Sequence, residues 1–207
     1  MTEMAYGLGG RLPLLEADKL PPQVRSLFDT MLADVVPAAN KAGFRSMDGA
    51  GHFVGPFNVT LYSPEMCGSF LALQKAEAEH TTLSPRVRQV VILSVGSVWK
   101  AAYEIYAHSA VAENIGLTNQ QASALAAGHD VDELAEDERL AQAFTLELVS
   151  THRVSLRTYR AAREAFGERG LVDMVMLTGC YLTVCALLNA FEIPAPEPAQ
   201  IQEAKDG

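Results

Sequence analysis

Glu104 and His108 are the pair of residues in this sequence best suited to acid–base chemistry. They lie four positions apart in a segment whose other side chains are mostly apolar, and on an α-helix this separation puts both on one face. A carboxylate beside an imidazole favours the protonated ring and fixes its orientation, so that the pair can deliver a proton near neutral pH. Because burying such a pair is unfavourable, the apolar surroundings indicate a functional site, although ordinary surface pairs share the same separation.

Several further side chains are candidates for binding a substrate next to this pair. An amide can donate hydrogen bonds to an oxygen that becomes negatively charged. A guanidinium group can hold a carboxylate, and a phenol or an indole can wall a pocket. Each also has an ordinary structural use, such as surface ion pairing or packing at a subunit contact. The candidates are the amides Gln89 and Asn58, the guanidinium groups Arg86 and Arg88, and the aromatic residues Tyr103 and Trp99.

The cysteine and histidine positions predict no disulfide framework, no metal site and no cofactor. Cys67, Cys180 and Cys185 are irregularly spaced and form no CxxC pair, and the five histidines show no HxH or HExxH spacing. Cys180 and Cys185 are five positions apart on a predicted helix and therefore point in different directions. We expect all three thiols to be small apolar residues of the core.

The composition predicts a folded protein whose partner is a small molecule rather than a nucleic acid. Of the 207 residues, 49% are hydrophobic and 20% are charged, which excludes a disordered or collagen-like chain. The formal charge of −9 repels phosphate groups. The start of the sequence lacks the pattern of a signal peptide, which predicts a cytoplasmic protein. The uncharged segment Met174–Phe191 has acidic flanks instead of basic anchors, so we interpret it as a buried helix and predict no membrane span.

Helix start signals recur along the chain and predict an all-α fold. Serine caps, prolines in the first turn and one Thr/Gln capping box mark successive starts, and no segment shows the alternation typical of strands. The predicted organisation is an N-terminal extension (1–20), one helical domain (21–194) and a flexible C-terminal tail (195–207). The predicted helices run over 22–36, 64–79, 85–116 with a possible break at Gly96-Ser97, 118–128, 137–149, 155–166 and 171–191, and a Gly-rich loop occupies 43–55.

Two motifs stand in the middle of the chain. They are Leu83-Ser84-Pro85-Arg86-x-Arg88-x-Val90-x-Ile92-Leu93 and Tyr103-Glu104-x-x-x-His108-x-x-x-Ala112-x-x-x-Gly116-Leu117. This combination resembles the carboxymuconolactone decarboxylase and alkylhydroperoxidase AhpD-like family, and the resemblance covers about residues 49–194. It implies an AhpD-like helical bundle that assembles as a homo-oligomer, either a trimer or hexamer or else a dimer.

The resemblance points to the decarboxylase-type branch of that family and away from its thiol peroxidases. The peroxidase branch carries CxxC before the shared histidine and a proton-relaying glutamate upstream. Aligned on His108, the two cysteine positions fall on Ala101 and Glu104, and the upstream glutamate falls on Gln89. The decarboxylase branch has glutamate at the second position, as here, but commonly keeps the upstream glutamate, so Gln89 departs from its pattern.

The sequence and the resemblance together predict a cofactor-free enzyme that acts on a small carboxylated or phenol-derived compound. His108 is the expected general acid/base, and Glu104 is expected to orient it and to stabilise its protonated form. The expected reaction is a decarboxylase-type lyase step or an isomerisation, since both use one proton shuttle and one oxyanion site. Two alternatives stay open. One is an AhpD-like peroxidase, which the missing CxxC disfavours; the other is a catalytically degenerate binding protein, which the departure at Gln89 favours.

Overall fold

The fold is helical throughout the part of the chain that the structure describes. A computed structural model describes residues 7–131 and 133–197, so the outer parts of the predicted extension and tail, 1–6 and 198–207, lie outside the described residues. The described ranges contain no strand, only an isolated bridge between Met47 and Phe53, which confirms the all-α prediction. Their α-helices are α1 (Pro22–Ala42), α2 (Pro56–Thr60), α3 (Pro64–His80), α4 (Pro85–Trp99), α5 (Ala102–Asn114), α6 (Asn119–Ala126), α7 (Glu136–Thr151) and α8 (Leu156–Ala190).

Helix α4 lies at the centre of the bundle. Its residues 89–96 are all buried, and it packs against α5, α6, α7 and α8. A helix that is apolar on every side has to be surrounded by other elements, which explains this arrangement. Ser84 caps the helix as predicted, because its hydroxyl accepts a hydrogen bond from the Val87 N–H at 3.2 Å.

The junction between α4 and α5 places the Glu/His pair. The predicted break at Gly96-Ser97 is wrong, because α4 continues to Trp99 and the chain turns at Lys100, whose φ is 52°. Helix α5 then begins at Ala102, so that Glu104 lies in its first turn. Gly96 lies inside α4 and faces α5: a Cβ there would lie 3.4 Å from Cγ1 of Ile105 and 3.5 Å from Cγ of Glu104, which are ordinary contact distances.

Most predicted helix starts are confirmed, and the main differences concern where helices end. Thr118 and Gln121 form the predicted capping box, and Ser155 caps the start of α8. The Ser63 side chain makes no capping hydrogen bond to α3, contrary to its prediction. Helix α1 continues past its predicted end in spite of Pro37 and ends at Gly43, whose φ of 83° is the left-handed conformation typical of helix ends.

Helix α8 contains both of the helical segments predicted near the end of the domain. They are joined at Gly167, where φ is 65° and the backbone is not helical. Among the described residues, α8 is the one helix long and apolar enough to cross a membrane, with a mean hydropathy of 2.0 over an 18-residue window. In the bundle, 44% of that window is buried, and α8 packs on α4 and α7.

The segment before α1 is held against the bundle by Asn58. The Asn58 amide nitrogen donates to the Pro13 carbonyl at 3.0 Å, and its amide oxygen accepts from the Leu15 N–H at 3.1 Å. Asn58 is fully buried there. Leu8 and Leu14 from the same segment pack against the core. The described part of the predicted extension, 7–20, therefore packs against the bundle, and both ends of the Asn58 amide are used by backbone groups.

Arg86 connects α4 to α7 through a buried ion pair. Its Nε and Nη2 atoms contact the two carboxylate oxygens of Glu138, and Nη1 donates to the Gly116 carbonyl. The Glu138 side chain is only 4% exposed and also accepts from the Ala135 N–H at 3.0 Å. The hydrogen bonds from Arg86 hold the pKa of Glu138 below its usual range. Arg86 therefore neutralises a buried carboxylate of the fold.

Replacing Arg86 with Met is expected to lower the free energy of unfolding by about 2–4 kcal/mol, because it leaves the buried Glu138 carboxylate uncompensated. Urea unfolding measures this loss. The matched control is Arg157→Met, which removes an exposed arginine and should change stability by less than about 0.5 kcal/mol. Normal stability of Arg86→Met combined with weakened ligand binding would contradict the structural role of Arg86.

Candidate active site

The first turns of α5 face a cavity that is lined by five helices and open to solvent on one side. The cavity has a volume of about 670 Å³, and its walls come from α1, α2, α3, α5 and α8. Helix α5 contributes Tyr103, Glu104, Ala107 and His108. The remaining wall is largely apolar and aromatic. A concave apolar space of this size with a few converging polar groups is the usual form of a small-molecule site.

Glu104 and His108 meet at the wall of this cavity. Nε2 of His108 lies 3.2 Å from Oε1 of Glu104, and the two side chains are 17% and 4% exposed. The angles at these atoms are not those of a hydrogen bond, and Oε1 of Glu104 is buried without a hydrogen-bond partner among the described residues. A buried oxygen without a partner is energetically unfavourable. The pair is therefore in contact and still has hydrogen-bonding capacity to offer a ligand.

Gln89 lies behind His108 and selects its tautomer. The amide oxygen of Gln89 is 2.8 Å from Nδ1 of His108. Since an amide oxygen can only accept, the proton of the neutral imidazole resides on Nδ1. Nε2 then carries the free lone pair of the ring. The prediction placed Gln89 against the substrate, whereas the structure places it against the imidazole, outside the cavity wall.

Burial reverses the charge state that the sequence predicts for the pair. Burial, with a smaller contribution from the positive charge of Arg88, lowers the pKa of His108 to about 3. Burial alone raises the pKa of Glu104 to about 8. Burial therefore acts against the imidazolium that the sequence predicts beside Glu104, because it disfavours the charged form of both groups. At neutral pH the site holds a carboxylic acid beside a neutral imidazole base.

Besides Gln89, four more of the residues predicted to bind substrate lie outside the cavity wall: Arg86, Arg88, Asn58 and Trp99. The Arg88 guanidinium is bound through Nε and Nη2 to Glu77 of α3, whose side chain is 7% exposed. Trp99 ends α4, is 37% exposed, and its carbonyl accepts from the Asn189 amide at 2.7 Å. Arg86 and Asn58 have the structural partners described above. These side chains belong to the scaffold around the site.

Tyr103 reaches the cavity, but its hydroxyl is already used. The ring lines the cavity, and the hydroxyl donates a hydrogen bond to the Arg45 carbonyl. The ring also explains Gly55, because a Cβ at that position would overlap it at 2.3 Å. Tyr103 therefore forms a fixed wall of the cavity and joins α5 to the Gly-rich loop.

Tyr181 of α8 is a residue of the site that sequence reasoning missed. Its ring packs edge-to-face on the His108 imidazole, with centroids 5.0 Å apart and an interplanar angle of 89°, and it lines the cavity. Within the described ranges the structure shows no hydrogen bond from its hydroxyl. No local signal could have identified Tyr181 as a site residue. It is far from His108 in the sequence and lies in the uncharged segment that we interpreted as a buried helix.

The cysteines are placed as predicted, in apolar surroundings. Cys67, Cys180 and Cys185 are free and buried, and burial raises the pKa of each thiol. Thiols of this kind carry little of the reactive thiolate. Across residues 7–131 and 133–197, no group of three or more His, Cys, Asp or Glu side chains is arranged to hold a metal ion.

Comparison with known proteins shows a family match over the middle of the chain. Residues 64–147 match the carboxymuconolactone decarboxylase family. This segment begins at α3, ends within α7 and contains both Glu104 and His108. No curated protein matches the chain by sequence.

The fold is similar to several solved structures. An uncharacterised peroxidase-related protein from Ralstonia eutropha JMP134, described as an alkylhydroperoxidase AhpD core, is 18% identical with a TM-score of 0.72, covering 95% of this chain and 97% of that one. A peroxidase-related protein from Silicibacter sp. TM1040 is 20% identical with a TM-score of 0.70, covering 93% and 94%. A variant of the debrominase Bmp8 in complex with 2,3,4-tribromopyrrole is 16% identical with a TM-score of 0.67, covering 97% and 96%. At these identities the likeness establishes an AhpD-like fold.

Proposed function

We propose that this chain, whose residues 64–147 match the carboxymuconolactone decarboxylase family, is an enzyme that moves a proton at a carbon atom next to a carbonyl group. The observation that carries the proposal is the pair of Glu104 and His108. A carboxylic acid and a neutral imidazole lie 3.2 Å apart at the wall of an apolar cavity. This pair supplies both an acid for the carbonyl oxygen and a base for the carbon.

The proposed reaction passes through an enol of the substrate. Nε2 of His108 takes a proton from the carbon, and the electron pair of that C–H bond forms a C=C bond. At the same time the Glu104 carboxyl gives its proton to the carbonyl oxygen, which receives the π electrons of the C=O bond. In the return step Glu104 takes back the proton from the enol oxygen and His108 protonates carbon. When the substrate also carries a C=C bond conjugated with the enol, this intermediate is a dienol, and its protonation at the γ-carbon yields an isomer and restores both groups to their starting state.

Gln89 and Tyr181 support this cycle without reacting. The amide oxygen of Gln89 accepts from Nδ1–H both before and after Nε2 gains its proton, so the ring does not rotate. Tyr181 packs against the imidazole and limits its movement further. A neutral amide at this position also avoids the charge that would hold the imidazole permanently protonated. A base that stays neutral near pH 7 is ready to accept the proton.

Isomerisation suits this site better than decarboxylation. Loss of CO₂ requires a substrate carboxylate close to the reacting carbon. Arg86 and Arg88 are each bound to a glutamate outside the cavity wall, and a buried carboxylate without a cation is strongly unfavourable. We therefore propose an isomerase-type proton transfer and place the lyase step predicted from the sequence second.

Deuterium exchange into 2-tetralone, an uncharged bicyclic ketone, tests the proposal. In D₂O the wild-type protein should accelerate loss of the proton signals next to the carbonyl, measured by NMR, and Glu104→Gln should abolish most of this acceleration. Glu113→Gln, which changes an exposed carboxyl at the end of the same helix, is the matched control and should behave as wild type. Exchange no faster than without protein would favour a binding protein that has lost catalysis.

The peroxidase alternative predicts a dependence on thiols that we do not expect. Replacing Cys67, Cys180 and Cys185 together by Ser should leave the rate of proton exchange within about two-fold of wild type, because no thiol takes part in the proposed cycle. Circular dichroism checks that the variant still folds, since each serine adds a hydroxyl to the core. Peroxide consumption by the wild-type protein that disappears in the folded triple variant would instead support the peroxidase function.

A further inference from the structure

Five aromatic side chains line the cavity. Phe44 and Phe57 stand side by side, with ring centroids 6.5 Å apart and an interplanar angle of 17°. Phe70, Tyr103 and Tyr181 complete the aromatic surface. Rings of this kind offer large flat apolar contacts. A cavity of about 670 Å³ falls in the range that encloses ligands of several rings rather than small metabolites of a few atoms.

The charges around the cavity are neutralised by partners within the protein. Among the described residues, Lys75 is the only lysine or arginine in the wall, and it faces Asp34 at 3.5 Å. Both of these side chains are more than half exposed, which places their charges at the solvent-facing rim. Glu104 and His108, the remaining titratable groups besides the two tyrosines, form the acid–imidazole pair described above. A ligand carboxylate in the interior would find no unpaired cation on the described wall.

The hydrogen-bonding groups of Glu104 and His108 would orient a ligand in the cavity. Oε1 of Glu104 is buried and has no hydrogen-bond partner among the described residues, and Nε2 of His108 lies beside it. One carbonyl or hydroxyl oxygen on the ligand would satisfy this group. The surfaces of α1 and α3 that face it supply mainly apolar contacts, from residues such as Met31, Val35 and Leu71.

We propose that the cavity selects uncharged aromatic or fused-ring compounds that carry a carbonyl or hydroxyl oxygen and insert it towards Glu104 and His108. This inference rests on the proposed function, because the same pair is taken to act on the ligand. Of the carboxylated or phenol-derived compounds expected from the sequence, it keeps the uncharged phenol-derived ones and excludes the carboxylates. The reaction that supplies such a substrate must leave it without a carboxylate.

Two ligands of matched shape test the inference by calorimetry at pH 7. 2-Naphthol is uncharged at this pH, whereas 2-naphthoate is an anion. The wild-type protein should bind 2-naphthol at least about 10-fold more tightly, which corresponds to a free-energy difference of about 1.4 kcal/mol. Ala38→Trp, a change at an exposed residue of the cavity wall, should weaken 2-naphthol binding and thereby locate it. Lys75→Met should leave the preference for 2-naphthol unchanged.

Several outcomes would overturn this substrate class. They are equal or tighter binding of 2-naphthoate, loss of 2-naphthoate binding in Lys75→Met, absence of binding by either compound, and 2-naphthol binding that Ala38→Trp does not alter. The experiment measures binding without turnover. A normal preference for 2-naphthol with no deuterium exchange would therefore refute the proposed function and keep the ligand class. Deuterium exchange into 2-tetralone together with tighter binding of 2-naphthoate would refute the ligand class and keep the proposed function.

Discussion

Replacing His108 with Ala is expected to reduce the rate of deuterium exchange by about 10²–10⁴-fold, the usual contribution of a general base. Nε2 of His108 is the atom that takes the proton from carbon, and within the described ranges no other imidazole lines the cavity. The side chain packs against the Tyr181 ring and hydrogen-bonds to the Gln89 side chain, so it anchors no backbone group of the described helices. Its removal should therefore leave the helical circular dichroism spectrum unchanged.

The control for this variant is His129→Ala, which removes an exposed imidazole near the end of α6. It should retain wild-type exchange. The His108→Ala variant should also still bind 2-naphthol, because the aromatic walls of the cavity are intact. Exchange within about five-fold of wild type in a folded His108→Ala protein would refute the role of His108 as the base, since general acid–base catalysis contributes at least about 100-fold.

Glu104→Gln is expected to make the protein more stable at pH 8 and inactive. Burial raises the pKa of Glu104 from 4.5 to about 8 in the folded protein. For a raised pKa, the stabilisation is fully present below pH 4.5 and is lost as the pH rises towards 8, because the unfolded chain ionises first. The amide does not ionise, so the variant avoids this loss. The difference should be on the order of a few kcal/mol at pH 8.

Thermal unfolding of both proteins between pH 4 and pH 9 measures this effect. The two melting temperatures should diverge above pH 5, with the variant higher by several degrees at pH 8. His108 acts in the opposite direction: its lowered pKa predicts that wild-type stability also falls as the pH drops from 6.5 towards 3. Glu113→Gln, the exposed carboxyl control, should show no such pH-dependent gain. A variant less stable than wild type at pH 8 would show that Glu104 is ionised in the fold.

The fold was predictable from the sequence because its signals are local. Ser84 and Ser155 cap helices through hydroxyl groups a few positions from the amides they accept from. Thr118 and Gln121 do the same within one turn. The end of α1 was harder to place, since Pro37 is a strong interruption signal that the packing of this helix overrides. Local chemistry decides where a helix starts, whereas tertiary contacts help to decide where it stops.

The site was predictable only in part, because its charge states and partners depend on distant residues. The four-residue separation placed Glu104 and His108 together. Their neutral state follows from desolvation, which a sequence pattern does not display. The arginines show the same limit: Arg86 and Arg88 have the chemistry of substrate anchors, but Glu138 and Glu77, supplied by other helices, bind them.

The hydrogen bond between Gln89 and His108 joins α4 to α5 and affects the protonation of the imidazole. A glutamate there would draw a proton onto the imidazole, whereas the amide leaves it neutral. The sequence comparison identified Gln89 as a departure and associated it with lost activity. The geometry favours a different interpretation, in which the amide sets the tautomer of a neutral base.

Nitrogen-15 NMR of the His108 ring between pH 5 and pH 7 tests directly whether the pair is a neutral acid and a neutral base. The protein has five histidines, and the signals missing from His108→Gln identify the one at the site. We expect a neutral imidazole protonated on Nδ1, with Nε2 unprotonated, that does not titrate in this range. An imidazolium with both nitrogens protonated at pH 6 would contradict this protonation state and the proton transfer built on it.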